Sequence, residues 1–373
     1  MFSSAHRSRL RDAHAGPGFG GPPPTILALG AVALSVLMLA CGSGASTSSP
    51  GAPTGSPSLA GSTAAAASTG PAGSGATSPS IRLYTSVTQD TVDAVLAGFA
   101  KQHPEIAVDV FRAPTGQLDA RIASEQRSGG IKGDVLWETD PPSMHQYESQ
   151  GLLLAWTPAE AASIPAIYTT TATWGTRLLN MVLVAANGAS PQPTSWLDLS
   201  SGAYDGKIAI PDPGFAGSAF AALGYFGTTT GYGLDYYRSL KQHGAVQVSA
   251  IGDVITGVAN GQYLVGMSLD KSILDEVTKG SPIKLVWPKE GAIAIYSPIA
   301  VFGSSTNAPA SEALVNYILS ADGQTRIAGT GWQPVRADVP WEESGGGALE
   351  PDWTTIFGQQ DQLLKDYRSI FGG

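Results

Sequence analysis

The sequence predicts an α/β protein of two domains. Three observations carry this. From Ile81 onward, short strand-like runs alternate with amphipathic helical segments. The connections between them are short. The stretch 81–373 has room for about two domains of ordinary size, each able to hold a core. Ile81–Thr85 reads as a strand. Val92, Val95, Leu96 and Phe99 follow at the i, i+3, i+4, i+7 spacing of one helix face, and His103-Pro104 ends that helix. Ala107–Phe111 alternates like a half-buried strand. Leu118 and Ile122 place a helix over about Thr115–Ser128, Gly133–Trp137 is a third short strand, and a helix near Met144–Gln150 closes at Gly151. This β-α-β-α-β order predicts a parallel sheet with helices on its faces. Ligands of such sheets bind beyond the carboxyl ends of the strands. Those ends are Thr85-Ser86, Pro114-Thr115-Gly116 and Glu138-Thr139-Asp140.

A second set starts near Leu183. Lys207–Pro211 is a strand, Asp212–Gly217 a loop, and Ser218–Leu223 begins a helix. Helices over Leu234–His243 and Gly252–Asn260 precede a strand at Tyr263–Ser268. A helix at Ser272–Lys279 and a strand at Ile283–Trp287 come next. Ser297–Phe302 is apolar and strand-like, and Ser311–Leu319 is a helix carrying Leu314, Val315 and Ile318. No repeat of solenoid or propeller period is present.

The residues before Ile81 are of another kind. Arg7, Arg9 and Arg11 form a basic region, and an apolar run from Thr25 to Ala40 has the length of a signal-peptide core. Leu37-Met38-Leu39-Ala40-Cys41 resembles a bacterial lipobox, in which a small residue precedes the cysteine that receives the lipid. Met38 and Leu39 depart from the usual residues there, so an uncleaved signal anchor is the alternative. Residues 42–80 carry no charge and are almost entirely Gly, Ala, Ser, Thr and Pro, a composition that reads as a flexible tether. Residues 1–41 are thus expected to be a signal peptide ending in a lipidated Cys41. Either reading holds the bulk of the chain outside the cytoplasm, at the membrane.

Composition excludes several classes. The chain of 373 residues has a net charge of -9, which argues against a nucleic-acid binder. Three arginines and one aspartate lie before residue 81, so the remainder stands at -11. The single cysteine excludes an internal disulfide framework and a CxxC-type zinc site. No Walker A loop, G-x-S-x-G elbow or HExxH occurs, and His103, His145 and His243 are isolated, so hydrolysis has no evident base.

Six segments, in order, resemble the extracytoplasmic solute-binding proteins of ABC importers, in the group with ferric-ion, phosphonate and sugar-phosphate binders. They are LYTSVTQDTVDAVLAGFAKQHP, RAPTGQLDARIASE, DVLWETDPPSMHQYESQGLL, PTSWLDLSSGAYDGKIAIPDPGFAGSAF, ANGQYLVGMSLD and SPIAVFGSSTNAPASEALVNYILSADGQ. The resemblance implies a two-lobed periplasmic-binding-protein-like fold of type II, with the ligand in a cleft between lobes joined by crossing strands. It places the crossings near Leu183–Asn187 and Ile293–Ala300. Lobe one would be 81–182 and 301–373, and lobe two 183–300. It implies an ABC permease and its ATPase as partners, closure around the ligand, a monomer, no cofactor, no resident metal and no catalytic residues.

The ferric members of that group use adjacent tyrosines just after the strand that matches Tyr263–Ser268. Here that place holds Leu269-Asp270-Lys271-Ser272. The adjacent pair Tyr236-Tyr237 falls within a predicted helix, where neighbours do not face one point. The loops offer hydroxyls and helix N-termini, which bind anions through orphan N–H groups. Thr85, Ser86, Thr115, Gly116, Thr139, Gly217 and Ser218 are therefore candidates for a small anionic solute, a phosphonate, phosphate ester or carboxylate. The hydroxyls of Ser86, Thr115 and Ser218 could equally cap their helices. Glu138 is a candidate for a ligand amine, or the partner of a surface cation. Trp137 is a core residue or a stacking platform. Arg177 precedes the first crossing, where it reaches either an anion or solvent. Asp270 and Lys271 stand at the family's ligand-contacting turn.

Overall fold

The computed structural model describes residues 79–342 and 345–372. Cys41, the apolar run at 25–40 and the uncharged segment up to residue 78 lie outside the described residues. The first half is β1 (Ser80–Thr85), α1 (Gln89–Gln102), β2 (Ala107–Arg112), α2 (Thr115–Arg127), β3 (Val135–Trp137) and α3 (Pro141–Ser149). β1 pairs in parallel with β2 and with β3, as the β-α-β-α-β pattern requires. α3 shows how local sequence sets a start. Asp140 Oδ1 accepts from Ser143 N at 2.8 Å, and Pro141 and Pro142 fill the first helical positions, where no N–H is needed.

The chain then crosses on β4 (Trp174–Ala186), a strand buried along nearly its whole length. The second half contains β5 (Ile208–Pro211), α4 (Gly217–Thr228), α5 (Gly233–Gln242), β6 (Val246–Val248), α6 (Ile251–Ala259), β7 (Val265–Leu269), α7 (Asp270–Thr278) and β8 (Ile283–Val286). β9 (Ala292–Val301) crosses back and is followed by α8 (Ala308–Leu319), α9 (Ala321–Gly329), β10 (Gln333–Pro334), β11 (Ala348–Leu349) and α10 (Trp353–Phe371). None of the described helices is long and apolar enough to cross a membrane.

The main sheet runs β2-β1-β3-β9-β4-β7-β5-β6. Its two ends are parallel triplets, each the frame of one lobe. The antiparallel pair β9–β4 joins them, from Trp174 opposite Ile299 to Met181 opposite Ile293. Beyond Met181, β4 leaves β9 and pairs with β7 on one edge and β8 on the other. This is the two-lobed α/β fold with crossing strands.

The first crossing differs from its expected place. It was expected near Leu183–Asn187 and begins instead at Trp174. Thr176, Arg177 and Asn180 interrupt the apolar pattern there. Burial makes two of them seek partners elsewhere: Thr176 Oγ1 donates to Ser297 O at 2.7 Å, and Asn180 Nδ2 donates to Asp270 Oδ2 at 3.0 Å. α10 falls in the stretch expected with lobe one; it packs on α4 and α5 and also reaches α3. Tyr367 sits edge-on to Tyr237 at 5.1 Å, and Gln360 Nε2 donates to Pro142 O at 3.0 Å.

Candidate ligand-binding site

A cavity of about 270 Å³ lies where the two parallel triplets face each other. Its first wall comes from the carboxyl ends of β1, β2 and β3: Ser86, Thr88, Arg112, Thr115 and Thr139. The facing wall comes from the second lobe, through Phe215–Ser218, Ser249–Gly252, Leu269 and Ser272. Arg177 and Leu179 of β4 and the ring of Trp332 complete it. The N-termini of α2, α4, α6 and α7 converge on this space. Each contributes partial positive charge and orphan N–H donors.

The Arg177 guanidinium dominates the electrostatics. It is 0% exposed, and Nε, Nη1 and Nη2 all lack a hydrogen-bond partner among the described residues. Its Cζ lies 4.5 Å from the centroid of the Trp332 ring, a cation–π contact. A register shift between Gly175 and Arg177 in the β4–β9 pairing re-aims this segment of the strand. Burial pulls its pKa down to about 9, opposed by the charge of Asp90 and assisted by that of Arg112. An arginine at pH 7 stays charged even so. A buried charge without a partner is costly, normally by several kcal/mol.

The hydroxyl cluster opposite is built around Glu138. Ser86 Oγ lies 2.8 Å and Thr115 Oγ1 3.2 Å from Glu138 Oε2, and Thr139 Oγ1 lies 3.3 Å from each of the two hydroxyls. None of the three hydroxyl candidates caps its helix: Thr88, Pro114 and Ala216 hold the N-cap positions of α1, α2 and α4. Ser218 lines the cavity at the second position of α4. Glu138 itself is fully buried one layer behind the cavity wall. Burial, with the charges of Asp119 and Asp140 beside it, pushes its pKa well above the usual carboxylate range. Burial likewise raises Asp140 to about 7 and Asp119 to about 6.

Two glycines let the lobes touch. Gly116 N donates to Phe215 O at 3.4 Å across the cleft, and a Cβ on Gly116 would stand 2.6 Å from Gly214 O. A Cβ on Gly217 would collide with the Asp140 carboxylate and lie 2.8 Å from Thr115 Oγ1. Gly116 opens onto a neighbouring cavity rather than this one.

The remaining candidates sit elsewhere. Thr85 is buried in the β1 turn, where Oγ1 donates to Trp137 O at 2.8 Å and accepts from Val87 N at 3.0 Å. Trp137 is core, and its Nε1 donates to Thr176 Oγ1 at 2.8 Å. Asp270 accepts from Asn180 and, at 2.7 Å, from Lys271 N. Lys271 Nζ pairs with Asp275 and stands 3.9 Å from Asp90 of α1. Neither Asp270 nor Lys271 lines the cavity. Tyr236 and Tyr237 are buried in the aromatic core of the second lobe, with Tyr236 Oη donating to Trp196 O at 2.8 Å.

Sequence reasoning missed Arg112, Ser249–Gly252 and Trp332. Arg112 ends β2, so the rule of strand carboxyl ends would have found it; its Nε donates to Val87 O at 2.6 Å. Ser249–Gly252 follows β6, a strand of only three residues with no readable alternation. Trp332 carries no sequence signal, because it is brought in by the C-terminal return of the chain.

Comparison with known proteins agrees with this architecture. A 2-aminoethylphosphonate-binding assignment attaches to a periplasmic protein of Salmonella typhimurium that is 24% identical over 271 residues, covering 67% of this chain and 79% of that protein. The spermidine/putrescine-binding periplasmic protein of Escherichia coli is 27% identical over 186 residues, 46% of this chain and 53% of that one. Among solved structures, the periplasmic binding protein AfuA of Actinobacillus pleuropneumoniae, with fructose-6-phosphate bound, superposes with a TM-score of 0.70. It is 18% identical, with 79% of this chain and 99% of that one covered. Iron-bound HitA of Pseudomonas aeruginosa gives a TM-score of 0.67 at 20% identity, covering 78% and 99%. The family model of bacterial extracellular solute-binding proteins matches residues 81–333. With that match over a two-lobed fold and an interlobe cavity, the chain belongs to the bacterial extracellular solute-binding protein family.

Proposed function

We propose that the protein captures a small anionic solute, a phosphonate or phosphate ester, outside the cytoplasm and delivers it to an ABC permease and its ATPase. The observation that carries the ligand class is Arg177, a fully buried guanidinium on the cavity wall with no hydrogen-bond partner among the described residues. A ligand anion supplies the missing charge and the missing acceptors. Arg112, the Ser86, Thr115 and Thr139 hydroxyls, and the start of α4 at Gly217 and Ser218 add donors from both lobes. The cavity volume lies just below the ~300–1,000 Å³ of ordinary ligand pockets, which suits a solute of few heavy atoms. A polyamine would bring its positive charge against Arg177, which disfavours that reading, and among the described residues no tyrosine lines the wall where ferric ion would need phenolates. Binding and release require no bond-making step, so no residue is assigned a catalytic role.

Lobe one at 81–182 and 301–373 and lobe two at 183–300 belong to the same reading, with α10 touching both. A thermal-shift screen of the full chain in detergent tests the ligand class. A bound phosphonate or phosphate ester at 100 times its Kd should add about 2.7 kcal/mol. Stabilisation by ferric ion or a polyamine, with no response to any anion, would overturn it.

Lipid attachment at Cys41 and a monomeric state complete the proposal. Intact mass spectrometry of the membrane-extracted protein is expected to show a chain that starts at Cys41 and carries acyl chains, and a mass that retains residues 1–40 would favour the uncleaved anchor. Wild-type protein that partitions into water on detergent phase separation would count against the anchor.

A further inference from the structure

Glu138 is a buried acid that the anion reading leaves unexplained. It has no exposed surface, its Oε1 lacks a hydrogen-bond partner, and it takes part in none of the ion pairs among the described residues. The titratable groups around it are Asp119 from α2 and Asp140 and Tyr147 from α3. The cations Arg112 and Arg177 line the cavity on the far side of the hydroxyl layer. Its backbone is pinned to β9, with its N–H donating to Pro298 O at 2.9 Å and its carbonyl accepting from Ser297 Oγ.

An ionised carboxylate here would be desolvated with no cation against it. The neutral acid instead has one proton to give. Ser86 Oγ at 2.8 Å and Thr115 Oγ1 at 3.2 Å donate to Oε2 when it is ionised, and one of them accepts its proton when it is neutral. A hydroxyl that accepts from the acid must turn its own hydrogen elsewhere, and all three clustered hydroxyls line the cavity. An ionised Glu138 would do the reverse. It would draw the hydroxyl hydrogens onto itself and leave lone pairs facing the ligand. A carboxylic acid kept neutral by an apolar site so that it can donate a hydrogen bond has precedent in enzymes.

We propose that Glu138 is a positioning residue that sets specificity: held as the neutral acid behind the hydroxyl layer, it gives its one proton to Ser86 or Thr115 and so frees that hydroxyl's own hydrogen for an anion in the cleft. This rests on the anion reading above. The test uses the full chain at pH 7 with ethylphosphonate and inorganic phosphate as probes. Glu138→Gln is isosteric, always neutral and always has an N–H to give, so it is expected to keep each Kd within about threefold. Glu138→Leu has no hydrogen to give and is expected to weaken binding about tenfold or more, the loss of one well-formed hydrogen bond. The infrared difference spectrum between wild type and Glu138→Gln is expected to show the carbonyl stretch of a protonated carboxylic acid, a signature that a merely structural role would not require. A missing acid band, or Glu138→Gln as weak as Glu138→Leu, overturns the proposal while leaving the anion reading intact. The band is read on wild-type protein across a pH titration as well, so a variant that fails to fold does not block the test. Wild-type protein that binds neither probe overturns the anion reading and this proposal with it.

Discussion

Arg177→Met is expected to weaken ligand capture strongly while stabilising the empty protein. The loss of a buried, charge-assisted contact to an anion should weaken binding by about 2–5 kcal/mol, roughly 30-fold to a few thousandfold in Kd. The gain has the same origin. Arg177 is fully buried with its three nitrogens lacking hydrogen-bond partners among the described residues, so the unliganded fold carries a desolvated charge that the Trp332 ring and the charge of Asp90 offset only in part. Methionine fills similar volume against Trp332 without that charge. The empty variant should therefore melt higher than empty wild type, by an amount on the order of 1–4 kcal/mol. Calorimetric titration with ethylphosphonate and a melting curve without ligand read the two effects separately. Weaker binding together with a lower melting point would show instead that the guanidinium is a structural element.

Gly217→Ala is expected to hold the lobes apart. Gly217 opens α4 and has no positive φ, so alanine fits the local backbone and favours the helix by up to about 1 kcal/mol. The obstacle comes from the other lobe, where its Cβ would meet the Asp140 carboxylate and Thr115 Oγ1. The variant should keep or raise its melting temperature without ligand, yet bind anion at least about tenfold more weakly, a cost of roughly 1.4 kcal/mol for the displaced contact. Small-angle scattering should show wild type compacting on ligand addition and the variant compacting less. Equal compaction and equal affinity would mean that this contact plays no part in closure.

Much of the fold was legible because it follows from periodicity. The apolar spacing of α1 and α2, the short strands β1, β2, β5 and β7, and the order of elements all come from local patterns that burial enforces. Legibility ended where a polar residue is buried. The first crossing is expected near Leu183–Asn187, yet β4 takes in Thr176, Arg177 and Asn180; the partners of Thr176 and Asn180 and the place of Arg177 on the cavity wall come from distant parts of the chain. The short β6 and the long α10 carry less local signal than the lobes they pack on. The same division holds for the site. The rule that ligands sit beyond strand carboxyl ends reached Ser86, Thr115, Thr139, Gly217 and Ser218, all on the cavity wall. It also reached Thr85, whose hydroxyl is consumed by its own turn, while the family resemblance pointed to Lys271, whose charge is met by Asp275.

By itself, then, the sequence determined the α/β class and the loops from which a cleft is assembled, since these depend on residues close in the chain, and its resemblance to a known family implied the two-lobed plan. The tertiary structure alone decided which groups meet there. Arg177 comes from a crossing strand, Trp332 from the C-terminal return, and Glu138 from behind the wall, where it stands against the hydroxyls of Ser86 and Thr115. Whether a charge is solvated, paired or stranded depends on what packs around it from distant parts of the chain, and no local pattern encodes that surrounding.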